Sequence, residues 1–235
     1  MKKDKFLFIV RAYNEVSRVG IVIQALLDAG FSEICVVNDG SKDETQKVLN
    51  SFGNKIYSLR HPINRGAGAA LETGFEFARR YSDDYNWEYI VTFDADGQHD
   101  IADIHSFFQI LHKNPGTQVI FGSRFIQKTR SNVPLLRRIV LYLGMIFTKC
   151  ISQVHLTDAH NGYRLIKIEV VNSIRLTMDG MEYASELIDQ INKLGFHIHE
   201  VPVNIHYDSY TLGKGQRHGG MFRIAFKMVM NKFFL

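Results

Sequence analysis

The feature that most constrains this 235-residue chain is the change of hydrophobic period that repeats through its first half. Residues 6–10 and 34–37 are short apolar runs rich in β-branched side chains. Between them Val19, Val22, Ile23, Leu26 and Leu27 recur at helical spacing until Gly30. Ser41, with Glu44 three residues on, predicts the start of a second helix that runs to Gly53. The same rhythm predicts a strand over 56–59, a helix over 68–81, a strand over 89–93, a helix over 104–111 and a strand over 119–121. Alternation of this kind implies an α/β fold with a mostly parallel central sheet flanked by helices.

Open sheets of this class bind ligands at the carboxyl ends of their strands. The residues just after each run are therefore the candidates for chemistry: 11–15, Asn38-Asp39-Gly40-Ser41, 61–68, 94–99 and Gly122-Ser123-Arg124. Asp94, Asp96 and Gln98 stand two apart, so in an extended turn three oxygen donors converge. Such a set favours a hard cation such as Mg²⁺ or Mn²⁺ that bridges substrate phosphates. A polar turn in which an aspartate caps the following segment has the same composition. Tyr13, Asn14 and Glu15 offer a ring-sized wall and hydrogen-bonding groups, and Asp39 an acceptor for a base or ribose; Asp39 also fits an ordinary Asp-Gly turn. Gly66 and Gly68 opening a helix allow a close backbone approach or a helix end aimed at an anion. Leu71 stands at the third glycine position of a dinucleotide fingerprint, and no GxxxxGK[ST] exists, which argues against a dehydrogenase and a P-loop enzyme.

The second half is less regular. Residues 134–154 predict a helix with an apolar face, 157–166 a polar loop, 181–194 an amphipathic helix and 200–205 a strand. Residues 221–235 predict a helix in which Arg223, Lys227 and Asn231 form one polar stripe. Net charge is −3 over residues 1–120 and +7 over 121–235, and the windows 121–157 and 209–235 hold no acid. The total of +4 is too small to imply nucleic acid. The basic windows suit phosphate or anionic lipid, or a plain solvated face. Cys35 and Cys150 form no CxxC, so neither a disulfide framework nor a thiolate zinc site is expected, in keeping with a reducing, cytosolic location. The five-residue apolar run before Arg11 is too short for a signal-peptide core, and the stretch 139–147 too short to span a bilayer.

Taken together, Ala12-Tyr13-Asn14-Glu15, residues 38–43, Asn64-Arg65-Gly66, residues 94–99, Gly122-Ser123-Arg124 and residues 161–164 resemble family 2 glycosyltransferases of the GT-A fold, in the branch of the dolichyl-phosphate mannosyltransferases and polyprenyl-phosphate glycosyltransferases. The resemblance implies one Rossmann-like domain over 1–235, with a nucleotide-sugar half (1–120) and an acceptor half (121–235) carrying surface helices 134–154 and 221–235. It implies that Ala12, Tyr13, Asn14, Glu15, Asp39, Asn64, Gly66 and Asp94 hold a UDP- or GDP-sugar. Asp94, Asp96 and Gln98 would place Mg²⁺ or Mn²⁺, and Asp96 and Arg124 would be catalytic. Arg124, Arg137, Arg138 and Arg217 would receive the phosphate of a polyprenyl acceptor. Glu186 matches an acidic helix position of the family and fits a surface carboxylate as well. Arg11 and Asn38 depart from the family's usual proline and aspartate. The implied reaction is an inverting, metal-dependent hexosyl transfer, on the cytoplasmic face of a membrane and with a small membrane-protein partner as one option. Transfer to a saccharide hydroxyl and a non-catalytic binding subunit are the alternatives.

Overall fold

The computed structural model describes residues 2–126 and 154–208, together with residues 131, 133, 138, 141, 142 and 145. Its frame is a seven-stranded sheet built from β1 (Phe6–Ala12), β2 (Ile34–Asn38), β3 (Tyr57–Arg60), β4 (Tyr89–Asp94), β5 (Val119–Ser123), β6 (Arg164–Lys167) and β7 (Ile198–Pro202), in the order β3-β2-β1-β4-β6-β5-β7. Only β6 runs against its neighbours β4 and β5. The helices are α1 (Val19–Asp28), α2 (Thr45–Asn50), α3 (Ala67–Tyr85), α4 (Ile104–Lys113), α5 (Ile168–Ser173) and α6 (Tyr183–Lys193).

Alternate side chains of β1 leave opposite faces of the sheet, as a two-residue period requires. Phe6, Phe8 and Val10 enter a core with α1 and α4, while Leu7 and Ile9 enter a second core with α3, α5 and α6. This double burial explains why the strands read as near-continuous apolar runs. At Gly74 a Cβ would lie 2.4 Å from Ile9 Cγ2, so glycine is what lets α3 lie close on β1.

Register sets the rim. Ala12 is level with Asn38, Asn38 with Arg60, and Arg11 with Asp94, so four strand ends open on one side.

The structure corrects several sequence expectations. The second helix begins at Thr45, not Ser41: Asp43 Oδ1 accepts from Thr45 N at 3.0 Å, whereas the Ser41 hydroxyl accepts from Asn14 N at 2.9 Å. The expected loop 157–166 holds the start of β6, a four-residue strand too short to show a period. The last strand lies at Ile198–Pro202, not 200–205. Of the expected helix 134–154, residues 138, 141, 142 and 145 are helical, whereas Val154, the other described residue of that span, lies outside any helix. The expected helix 221–235 lies outside the described residues.

Candidate active site

Asp39 sits at the end of β2 and is buried. Its Oδ1 accepts from His61 Nδ1 at 2.7 Å and Arg65 N at 2.9 Å, and its Oδ2 from Gly66 N at 2.8 Å and Asn64 Nδ2 at 3.1 Å. Four donors fill the roughly four acceptor sites of a carboxylate. His61 Nε2 lies 2.8 Å from Thr73 Oγ1, which ties this knot to α3. Asp39 therefore shapes the 61–66 loop, and Asn64 and Gly66 meet it there. Asn14, with φ at 54°, joins the neighbouring loop, because its Oδ1 accepts from Lys42 N at 2.8 Å. Tyr13 is 39% exposed beside them, whereas Ala12 and Glu15 are buried.

Gly66 and Gly68 prove to be close-approach glycines. A Cβ at Gly68 would lie 1.9 Å from the Met178 carbonyl, and at Gly66 2.3 Å from that of Asp179. The first amides of α3, Gly68 N and Ala69 N, donate to the Asp179 carbonyl at 2.8 and 3.2 Å, so this helix end meets protein in place of the anion considered from sequence. Glu186 holds the same 176–182 segment in place: it accepts from Thr177 N at 2.9 Å and Met178 N at 3.0 Å, and is more than a surface carboxylate.

The 94–98 segment differs in its bonding. It turns instead of extending, with Gly97 at φ 75°. Asp94 pairs with Arg11 and faces His99 Nε2 at 3.3 Å. Burial acts to raise its carboxyl, but the Arg11 and His99 charges outweigh that and hold it well below the usual range. Asp96 accepts Gln98 N at 3.0 Å and no other hydrogen bond among the described residues. Burial, reinforced by Asp94, pushes it up to about 6. Gln98 Nε2 is buried without a hydrogen-bond partner among the described residues. No three histidine, cysteine or acidic side chains among the described residues gather as a metal cluster. An under-coordinated carboxylate two residues from a glutamine still fits Mg²⁺ or Mn²⁺, which is commonly held by one or two carboxylates plus substrate phosphates.

On the far side of the rim Arg124, at the end of β5, is buried in a two-pronged pair with Asp158, Nε to Oδ2 and Nη2 to Oδ1 both at 2.6 Å. Its Nη1 donates to Tyr207 at 2.8 Å. Glu200 fixes the loop of Asp158, accepting Thr157 N at 2.9 Å and Asp158 N at 3.2 Å. Beyond Arg124 lies a cavity of about 520 Å³ walled by Phe125, Leu141, Met145 and Leu156, with Arg138 and His155 among its lining. Arg138 is exposed. Arg137 and Arg217 lie outside the described residues.

Sequence reasoning placed His61 in a rim segment without giving it a role, and it missed Asp158, Tyr183, Glu200 and Tyr207. For Asp158 a signal existed, since it is the residue at which the acid-free window 121–157 ends. It missed too that residues 161–164 roof the turn: Tyr163 packs its ring on Phe93 and His99, and Arg164 is buried, donating to the Asn161 and Ala159 carbonyls at 2.9 and 3.2 Å.

A mostly parallel sheet with acidic and amide groups along its carboxyl rim defines a protein of the GT-A class. Its solved likenesses include glucosyl-3-phosphoglycerate synthase of Mycobacterium tuberculosis, described in complex with Mn²⁺, UDP and phosphoglyceric acid (TM-score 0.71, 16% identity, 97% of this chain and 78% of that one). A family model, Glycosyl transferase family 2, matches residues 7–175, and the chain belongs to that family. It is 30% identical to the UDP-N-acetylglucosamine--dolichyl-phosphate N-acetylglucosaminyltransferase of Methanococcus voltae over 97% of both chains. It is 24% identical to the undecaprenyl-phosphate mannosyltransferase of Micrococcus luteus over 92% of this chain and 89% of the relative. The protein is a glycosyltransferase enzyme. Among the described residues no helix is long and apolar enough to cross a membrane.

Proposed function

We propose that this enzyme transfers a hexose, with inversion, from a UDP- or GDP-sugar to a polyprenyl phosphate at a cytoplasmic membrane surface. The carrying observation is the apolar cavity that begins at Phe125, the residue after Arg124, and has Arg138 in its lining. Apolar walls suit an isoprenoid chain, and a cation among them suits its phosphate. The two relatives, a dolichyl-phosphate and an undecaprenyl-phosphate glycosyltransferase by name, support the same acceptor.

In this reading residues 1–120 receive the donor and 121–235 the acceptor. Tyr13 offers the base a flat wall, and Ala12, Asn14, Glu15 and the Asp39 knot with Asn64 and Gly66 shape the nucleoside cradle. Asp96, Gln98 and, subject to its pairing with Arg11, Asp94 would hold Mg²⁺ or Mn²⁺. When bound, the ion supplies positive charge for the departing nucleoside diphosphate.

A sugar hydroxyl needs a general base, but a monophosphate with a second pKa near ~6 is already ionised at neutral pH. The acceptor-side carboxylates agree with that: Asp158 is bound by Arg124, and Glu200 by the 157–158 backbone. Arg138 with Arg137 and Arg217 would orient the phosphate, while Arg124 lends charge from behind it. The test is incubation with radiolabelled UDP- or GDP-hexoses, polyprenyl phosphate and Mn²⁺ or Mg²⁺, then extraction into organic solvent. Label in the organic phase supports the proposal. Label found only on a saccharide acceptor rejects it.

A further inference from the structure

Arg11 and Asp94 are register partners on the neighbouring strands β1 and β4, so their side chains leave the same face side by side. The Arg11 guanidinium divides itself, Nη2 pairing with Asp94 and Nη1 donating to the Tyr183 hydroxyl. The Tyr183 ring lies against it, 5.0 Å from centroid to guanidinium carbon. The Arg11 side chain is 9% exposed and that of Asp94 33%. Gly162 closes over both, since a Cβ there would lie 2.4 Å from Asp94 Oδ2 and 3.0 Å from Arg11 Nη2. Strand register, an aromatic brace and a glycine roof thus hold one permanent cation on the first carboxylate of the turn. Asp96, two residues on, receives no such cation and is bonded only to the Gln98 amide among the described residues.

The geometry points to Arg11 as a resident cation for Asp94: a positioning residue that withdraws this carboxylate from the divalent-ion ligands and leaves Asp96 with Gln98 to hold the ion. The inference rests on the proposed function, and it narrows that reading from three ligands to two. A guanidinium and a divalent ion compete for the same carboxylate lone pairs. With Asp94 already neutralised, the turn alone should bind the ion weakly and depend on the donor's phosphates to complete the shell.

The test is a Mn²⁺ titration of the full chain without nucleotide, followed by electron paramagnetic resonance. Asp94→Asn is expected to lose no more than about threefold in Mn²⁺ affinity, the effect of leaving the Arg11 charge unpaired, Asp96→Asn to lose about tenfold or more, and Arg11→Gln to gain about three- to tenfold as Asp94 is released. Asp94→Asn losing as much as Asp96→Asn, or a folded Arg11→Gln with unchanged affinity, overturns the inference and leaves the metal reading standing. Asp96→Asn retaining full affinity overturns the metal reading itself, and absence of Mn²⁺ binding in all four chains overturns both. Should Arg11→Gln fail to fold, Arg11→Lys keeps the charge, and affinity within about threefold of wild type in both it and Asp94→Asn decides in favour. A loss in Asp94→Asn as large as that in Asp96→Asn then decides against.

Discussion

The Asp39 knot and the Asp94–Gln98 turn look alike in sequence, each an acid at a strand end followed by glycine within three residues, yet they differ in how much bonding capacity they retain. Asp39 gives all of its acceptor positions to residues 61–66, whereas Asp96 keeps most of its own. Asp158 resembles Asp39, with both oxygens on Arg124. A carboxylate saturated by its own chain shapes the loop around it. One left under-coordinated is available to a ligand.

Breaking the comparison at its open end should have the largest effect. Asp96→Asn is expected to lower sugar transfer about a thousandfold, as loss of several kcal/mol of charge stabilisation implies. The same change should stabilise the metal-free fold. The Asp96 carboxyl is raised from 3.8 to about 6, so the folded state binds more protons than the unfolded chain between these values, and stability falls as pH rises through that window. Removing the charge should recover about 1–3 kcal/mol at pH 7.5, read by thermal unfolding in EDTA. A destabilised variant would show that Asp96 has an unrecognised partner.

At the saturated end, Asp158→Asn leaves the Arg124 guanidinium buried with its main partner weakened. We expect a loss of about 3 kcal/mol in urea unfolding. Asp39→Asn replaces acceptor positions with a donor facing backbone amides. It should cost about 2 kcal/mol and quicken proteolysis within 61–66, with donor KM rising before kcat falls. Equal thermal stability of Asp39→Asn and wild type would contradict the structural role given to this carboxylate. Smallest of all, Arg138→Ala should raise the KM for polyprenyl phosphate about tenfold, a loss of roughly 1.4 kcal/mol, with donor KM unchanged.

Much of residues 1–120 was legible because strands buried on both faces and amphipathic helices carry opposite periods. Helix α4 and strand β5 fall close to where those periods place them. β6 escaped because four residues that include a buried arginine carry no period and pair only through their neighbours' backbones. The site was legible as a set of rim positions, since strand ends are local features. Arg11 was visible only as a departure from a pattern, with its role unread.

The sequence by itself determined the alternating fold, the rim on which the polar motifs lie and the family to which they belong. Only the tertiary structure decided which carboxylates are already occupied. Asp39 is bound from 22 to 27 residues away, Asp158 from 34 and Asp94 from 83. A hydrogen bond has no sequence signature at such separations, because its partners meet only when the sheet sets their register.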